Sequence, residues 1–360
     1  MERIQSKEDS ENIERLIAKG QPFYIENIEY LIDTNDDEKS CIWIQEILKE
    51  LMENETVIDV SCAEADEMEY SGNPMNRESV DLRIKDFVEG FFALMGHQQH
   101  WIANIGLNLY LSQLCLYSKD VHATQIHGIH QIKDFPPNIL QNKDLDMVNL
   151  WMNIPRSRST LHYDANHNLL TVHKGSKRVF LISPELQNSV NSISLFTDTP
   201  NHTSRSFLEI VDIFQTLQKE RKYDSKLFEI EIRENQALFI PEGWWHQVDS
   251  QEFTIAVNYW FSSPLQPYLN DSSILPYVVR QSINRLVLAS VKENFRNERD
   301  NIRNNLNIYT QLTTDTFEQT VIAAIHEIGQ SRETKELQII YCQIEDMERF
   351  WTPFIIQVCE

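Results

Sequence analysis

Two short segments of this 360-residue chain hold side chains able to grip a metal ion. Leu161-His162-Tyr163-Asp164 places a histidine and an aspartate two residues apart, and Gly243-Trp244-Trp245-His246 adds a second histidine. On a β-strand, residues i and i+2 project from one face, so His162 and Asp164 can reach one point in space. A second strand bearing His246 would complete a set of two imidazoles and one carboxylate. Such a set fills three positions of an octahedral ion and leaves three open, the arrangement of non-heme Fe(II) oxygenases.

Both clusters fall where the sequence alternates short apolar runs with turn signals. Asn168–Val172 and Arg178–Ile182 read as strands hinged at Lys174-Gly175, and Ala237–Ile240 runs into Pro241-Glu242-Gly243 ahead of the strand bearing His246. Phe253–Phe261 is a further β-branched and aromatic run. Short strands with ligands near their ends are how a small β-barrel builds a site in its mouth. Upstream, Gln21–Ile25 and Thr56–Val60 read as strands extending one sheet. Ile44, Ile47, Leu48 and Leu51 recur at helical spacing, and Val80–Leu94 reads as a helix. Residues 187–226, with Asn201-His202-Thr203-Ser204, are polar and interrupt two barrel strands, the pattern of a lid or binding loop.

The segments 157–184 (SRSTLHYDANHNLLTVHKGSKRVFLISP) and 237–261 (ALFIPEGWWHQVDS, then FTIAVNYWF) closely resemble the JmjC-type cupins. The likeness is to their small hydroxylase-like branch, which includes the hypoxia-inducible-factor asparaginyl hydroxylase and stand-alone plant JmjC proteins. It implies a mainly β fold, the double-stranded β-helix or jelly roll. Flanking helices would accompany an N-terminal α/β elaboration (1–100), a catalytic barrel (101–264) and a C-terminal helical region (265–360). It implies Fe(II) held by His162, Asp164 and His246, with 2-oxoglutarate and O2 as co-substrates. Lys177 matches the lysine that pairs with the distal carboxylate of 2-oxoglutarate. Tyr110 and Ser159 match hydroxyls bonding the same carboxylate, and Asn168 and Asn258 match polar positions lining its pocket. The implied reaction oxidises a substrate C–H bond, most simply on a protein side chain, with release of succinate and CO2. The same site on an N-methyl group would act as a lysine demethylase, and a cupin that only binds a partner is a third reading. Ser194-Leu195-Phe196 departs from the family's Leu-Tyr-Pro run, which bears on the substrate loop and leaves the metal site untouched.

Other residues have plainer readings. His167 falls three positions after Asp164, hence on the opposite strand face, and reads as an outer neighbour of the site or a surface residue; His173 is likewise not a ligand. Trp244 and Trp245 read as barrel packing. His122, His127 and His130 form a loose polar cluster of exposed loop histidines. Beyond residue 265 the periodicity turns helical through Val279, Ile283 and Leu286, then Phe317, Val321, Ile325 and Ile328 to Trp351. Such helices suit a homodimer or packing on the chain's own barrel.

Composition narrows the partners. The net charge of −22 is concentrated in residues 1–80. It disfavours phosphate backbones, and so nucleic acid, and favours a basic protein substrate. Five scattered cysteines without a Cys-x-x-Cys fit reduced thiols. No stretch reaches the ~18 apolar residues of a membrane span, and the polar start does not read as a secretory signal. The nucleus or cytoplasm is the expected location.

Overall fold

The structure is a computed structural model. It describes residues 1–5, 10–28, 42–64, 78–119, 140, 143–193, 201–203 and 207–262, with Tyr277, Arg280 and Gln281. The chain divides into two compact units, one of residues 1–192 and 201–276 and the other of residues 193–200 and 277–360. The histidines at 122, 127 and 130, the Ser194–Phe196 departure and nearly all of the expected C-terminal helices lie outside the described residues.

Eight strands of the first unit form the barrel: β6 (Leu145–Asn153), β7 (Ser157–His162), β8 (His167–Lys174), β9 (Ser176–Ile182), β10 (Leu227–Arg233), β11 (Gln236–Ile240), β12 (Trp245–Ser250) and β13 (Thr254–Phe261). They pair antiparallel as β6 with β13, β7 with β12, β8 with β11 and β9 with β10. This is one long hairpin folded over itself. Every connection within it switches sheets except the apex between β9 and β10, which gives a jelly roll. The β8–β9 crossing is made at Gly175, with φ 75°. A Cβ there would lie 2.6 Å from Thr254 Oγ1, so both backbone conformation and space call for glycine.

The N-terminal strands widen the larger sheet at both edges. β1 (Glu2–Ile4) and β2 (Phe23–Ile25) add beyond β11, whereas β3 (Val57–Glu64), β4 (Ser79–Arg83) and β5 (Leu107–Ser118) add beyond β6. The expected helix over Val80–Leu94 begins later. Val80 and Leu82 alternate with Ser79, Asp81 and Arg83, so that stretch pairs with β3 as a strand. Helix α3 starts at Ile84 and ends at Met95, after α1 (Ser10–Ala18) and α2 (Ile42–Met52).

Alternation along the strands divides the apolar residues into two layers. Leu169, Phe239, Val257 and Tyr259 leave the barrel and join Phe87, Val88 and Phe91 of α3 and Ile44, Ile47 and Leu51 of α2. Leu170, Val172, Val179, Leu181, Ile232, Leu238, Ile240 and Ala256 form a separate cluster between the sheets. The 187–226 segment is not only a loop, because it carries a short helix α4 (Gln187–Val190) and α5 (Phe207–Gln218). Phe214 of α5 meets Phe180 of the smaller sheet edge-on at 5.4 Å.

Candidate metal centre

β7 ends at His162, which lies directly across the β7–β12 pair from His246. Residues opposite one another share a face, so both imidazoles enter the barrel. Asp164 follows just beyond β7. Its backbone carbonyl accepts from Gly243 N at 3.0 Å, tying the aspartate to the turn that launches β12. The three donor atoms lie within 4.8 Å of one another. His162 Nε2 is 3.8 Å from Asp164 Oδ1 and His246 Nε2 is 3.6 Å from Asp164 Oδ2, too far for hydrogen bonds and suited to one cation between them.

The tautomers follow from the second nitrogen of each ring. His162 Nδ1 lies 2.7 Å from the carbonyl of Thr160, and His246 Nδ1 lies 3.0 Å from that of Trp244. A carbonyl only accepts, so each Nδ1 carries the hydrogen and each Nε2 presents its lone pair to the site. Burial pushes the His246 imidazole down to about 4, which keeps it in the neutral form a metal requires.

Lys177 enters the same barrel from β9. Its neighbours in register are Ser250 on one side and Ile232 on the other, and its Nζ donates to Ser250 Oγ at 2.7 Å. The side chain is 2% exposed, and among the described residues no carboxylate pairs with it. Burial alone lowers its ammonium from 10.5 to about 7. A buried cation is tolerable when an opposite charge arrives beside it. His246 and Ser250 are four residues apart on one strand, about 13 Å, so the ammonium lies along the same barrel interior as the two imidazoles, further down β12.

The remaining expected residues converge on the same interior. A bulge in β7 adds a residue between Ser159 and His162, since Val248 faces Ser159 whereas His246 faces His162. Three residues apart, the two would otherwise point oppositely, and the bulge returns both to one face. Tyr110, 3% exposed on β5, pairs with Asn153 and lies against Trp151 with ring centroids 6.0 Å apart. Asn168 and Asn258 form a chain that ends on the Asp164 carboxylate. Trp151 Nε1 donates to Asn258 Oδ1 at 2.7 Å, Asn258 Nδ2 to Asn168 Oδ1 at 3.3 Å, and Asn168 Nδ2 to Asp164 Oδ2 at 3.5 Å. These asparagines therefore steady Asp164.

His167 does take the face opposite the site, but it is not a surface residue. It is 1% exposed, between Phe239 and Phe261, and its Nδ1 accepts from Glu242 N at 2.9 Å. It thus fixes the turn preceding His246. His173 lies on that same outward face, beside Thr171, at 3.0 Å from its hydroxyl. Trp244 packs in the inner cluster and donates to Gly20 O, and Trp245 meets Tyr163 edge-on.

Three inward polar residues escaped the sequence reading. Ser157 pairs with Ser250, putting its buried hydroxyl in the row of Lys177, and that oxygen has no partner among the described residues. Asn149 and Asn153 likewise have buried, unpartnered Oδ1 atoms. Unmet polar atoms and an unpaired ammonium inside a barrel fit a polar, anionic occupant better than a dry core.

A cupin-like domain matches residues 9–266. The chain belongs to the cupin-like domain family. Its relatives include JmjC-domain proteins. It is 36% identical over 155 residues to the lysine-specific demethylase JMJ31 of Arabidopsis thaliana, covering 43% of this chain and 28% of that protein. It is 32% identical over 113 residues to the human tRNA wybutosine-synthesizing protein 5, covering 30% and 31%. It is 26% identical over 121 residues to the Drosophila melanogaster Jumonji C domain-containing protein 5, covering 32% and 27%. The matched stretch thus spans less than a third of the length of each of these proteins. No described helix is long and apolar enough to cross a membrane.

Proposed function

We propose that this JmjC cupin is an Fe(II)- and 2-oxoglutarate-dependent oxygenase that hydroxylates a side chain of a protein substrate. One observation carries the reading: three donors able to hold a metal ion share one barrel with a buried ammonium that has no counter-charge among the described residues. A carboxylate and two neutral imidazoles leave a divalent ion with net positive charge and open positions, which suit a 2-oxo acid. The group so bound supplies the oxidising power, with O2 as oxidant and succinate and CO2 as co-products.

The chain's own residues hold and orient. His162, Asp164 and His246 take the ion, and the Trp151–Asn258–Asn168 chain steadies the carboxylate. Lys177 receives the distal carboxylate, with Ser250 already on its Nζ and Ser157, Ser159 and Tyr110 on the same interior. Leu170, Val172, Val179, Leu181 and Ile240 keep water from the reacting carbon. The net charge of −22 favours a basic protein partner and disfavours nucleic acid, and the scattered cysteines suit a nuclear or cytoplasmic setting.

A second reading, N-methyl-lysine demethylation, draws on the names of the Arabidopsis relatives JMJ31 and JMJ30. Both are tested by incubating the full chain with Fe(II), 2-oxoglutarate and air on basic peptides, plain and N-methylated. Succinate together with a peptide one oxygen heavier supports hydroxylation. Formaldehyde from methylated peptides alone moves the assignment to demethylation. No 2-oxoglutarate turnover with any peptide or protein substrate refutes both and leaves a binding cupin.

A further inference from the structure

The excursion between β9 and β10 returns to the metal centre. Residues 201–203 lie antiparallel along β7, the edge strand of the smaller sheet, with His202 opposite His162. Tyr163 N donates to Asn201 O at 3.0 Å and Thr203 N to Leu161 O at 3.2 Å, so the backbone bonds bracket the ligand. The clip is fastened at its other side as well. Thr203 bridges Ser192, and its hydroxyl donates to the carbonyls of Val190 and Asn191.

Opposition across the bridge puts His202 on the face of His162. The two rings stack, with centroids 5.2 Å apart and planes 15° apart. His162 is therefore held between His246, at 4.3 Å and 53°, and His202. A chain of polar contacts fixes the second ring in turn. Asn201 Nδ2 donates to Tyr163 O at 2.9 Å, which leaves Asn201 Oδ1 facing His202 Nδ1 at 3.0 Å. Since the amide oxygen only accepts, His202 Nδ1 donates. The anchor, Tyr163, lies between the two ligands His162 and Asp164.

We propose that His202 is a positioning residue of the metal centre, holding the His162 ring so that Nε2 faces the site beside Asp164. The inference deepens the metal-site reading and rests on it. His162 needs such help more than His246 does: its side chain is 20% exposed against 3%, so the barrel immobilises only one of the two rings. The Nδ1 bond to Thr160 fixes which nitrogen faces the ion, and the stack fixes the tilt of the ring plane.

The test is anaerobic titration of the full chain with Co(II), whose visible spectrum reports ligand number and geometry. It compares wild type, Asp164→Ala, His202→Ala, His202→Phe and Thr203→Ala, with unfolding midpoints taken without metal. Loss of a stacked ring partner is expected to weaken affinity roughly 2- to 10-fold. His202→Ala is expected to lose that much and to show an altered Co(II) spectrum. His202→Phe, which keeps a ring to stack, should regain most of the affinity. Thr203→Ala, which loosens the clip but leaves the His202 ring, should lower the unfolding midpoint and lose less Co(II) affinity than His202→Ala. Wild-type affinity in folded His202→Ala, or equal losses in His202→Phe and His202→Ala, overturns the proposal while leaving the metal site standing. Failure of wild type to bind Co(II) more tightly than Asp164→Ala overturns the site itself, and the role of His202 with it.

Discussion

Replacing Lys177 with methionine should make the protein more stable without co-substrate and unable to respond to it. Methionine matches the shape of the lysine stem, so the swap removes a charge and little packing. The ammonium falls from 10.5 to about 7 because it is buried. At ~1.4 kcal/mol per unit, that is about 4–5 kcal/mol of folding stability lost while the lysine must be charged. The sign follows from proton counting. Between about 7 and 10.5 the unfolded chain binds a proton that the folded chain does not, so stability rises with pH through that window. It is lowest below pH 7. Urea unfolding of both proteins at several pH values isolates this as a difference that narrows toward pH 10. An anion beside Lys177 reverses the penalty, so 2-oxoglutarate at 100-fold its dissociation constant should add ~2.7 kcal/mol to wild type and nothing to Lys177→Met. A Lys177→Met protein that is less stable than wild type by a constant amount at every pH would refute the reasoning, because it would mean that the lysine is already paired.

Two other perturbations probe how the site is held. Burial lowers His167 to about 3 from 6.5, so its contribution to stability is present above pH 6.5 and is lost as pH falls toward 3, by about 1.4 kcal/mol per unit. His167→Gln keeps an acceptor for Glu242 N and should flatten that part of the wild-type pH–stability curve; an unchanged slope would show that His167 titrates normally. Gly175→Ala meets both the positive φ and Thr254, and is expected to lower stability by about 1–3 kcal/mol in denaturant titration. No loss would mean that the β8–β9 crossing yields easily.

How far the site was legible depends on whether each residue's role is local. His162, Asp164 and His246 were legible because the i, i+2 spacing and the turn before β12 are features of the chain itself. Lys177 was singled out by resemblance, but its isolation from every described carboxylate is a property of the closed barrel. Ser159 shows the limit from the other side. Plain alternation would turn it away from His162, and only the bulge, invisible in composition, returns it. Strand β4 was taken for the beginning of α3 because Val80 also falls four and seven positions before Ile84 and Phe87, at helical spacing, and pairing with β3 decides for the strand. Helix α5 and the His202 clip were hidden in a polar stretch whose meaning comes from contact with β7 and Phe180, residues remote in sequence. His167 was placed on the correct face, yet burial under Phe239 and Phe261 depends on an outer layer that one strand does not disclose.

Thermal stability under anaerobic conditions, with Fe(II) alone and with Fe(II) plus 2-oxoglutarate, tests the central claim most directly when wild type is run beside Asp164→Ala. The account predicts a rise with Fe(II), a further rise with 2-oxoglutarate, and neither in folded Asp164→Ala, whose two imidazoles have lost the carboxylate between them. An unshifted wild type, or equal shifts in both proteins, would contradict it.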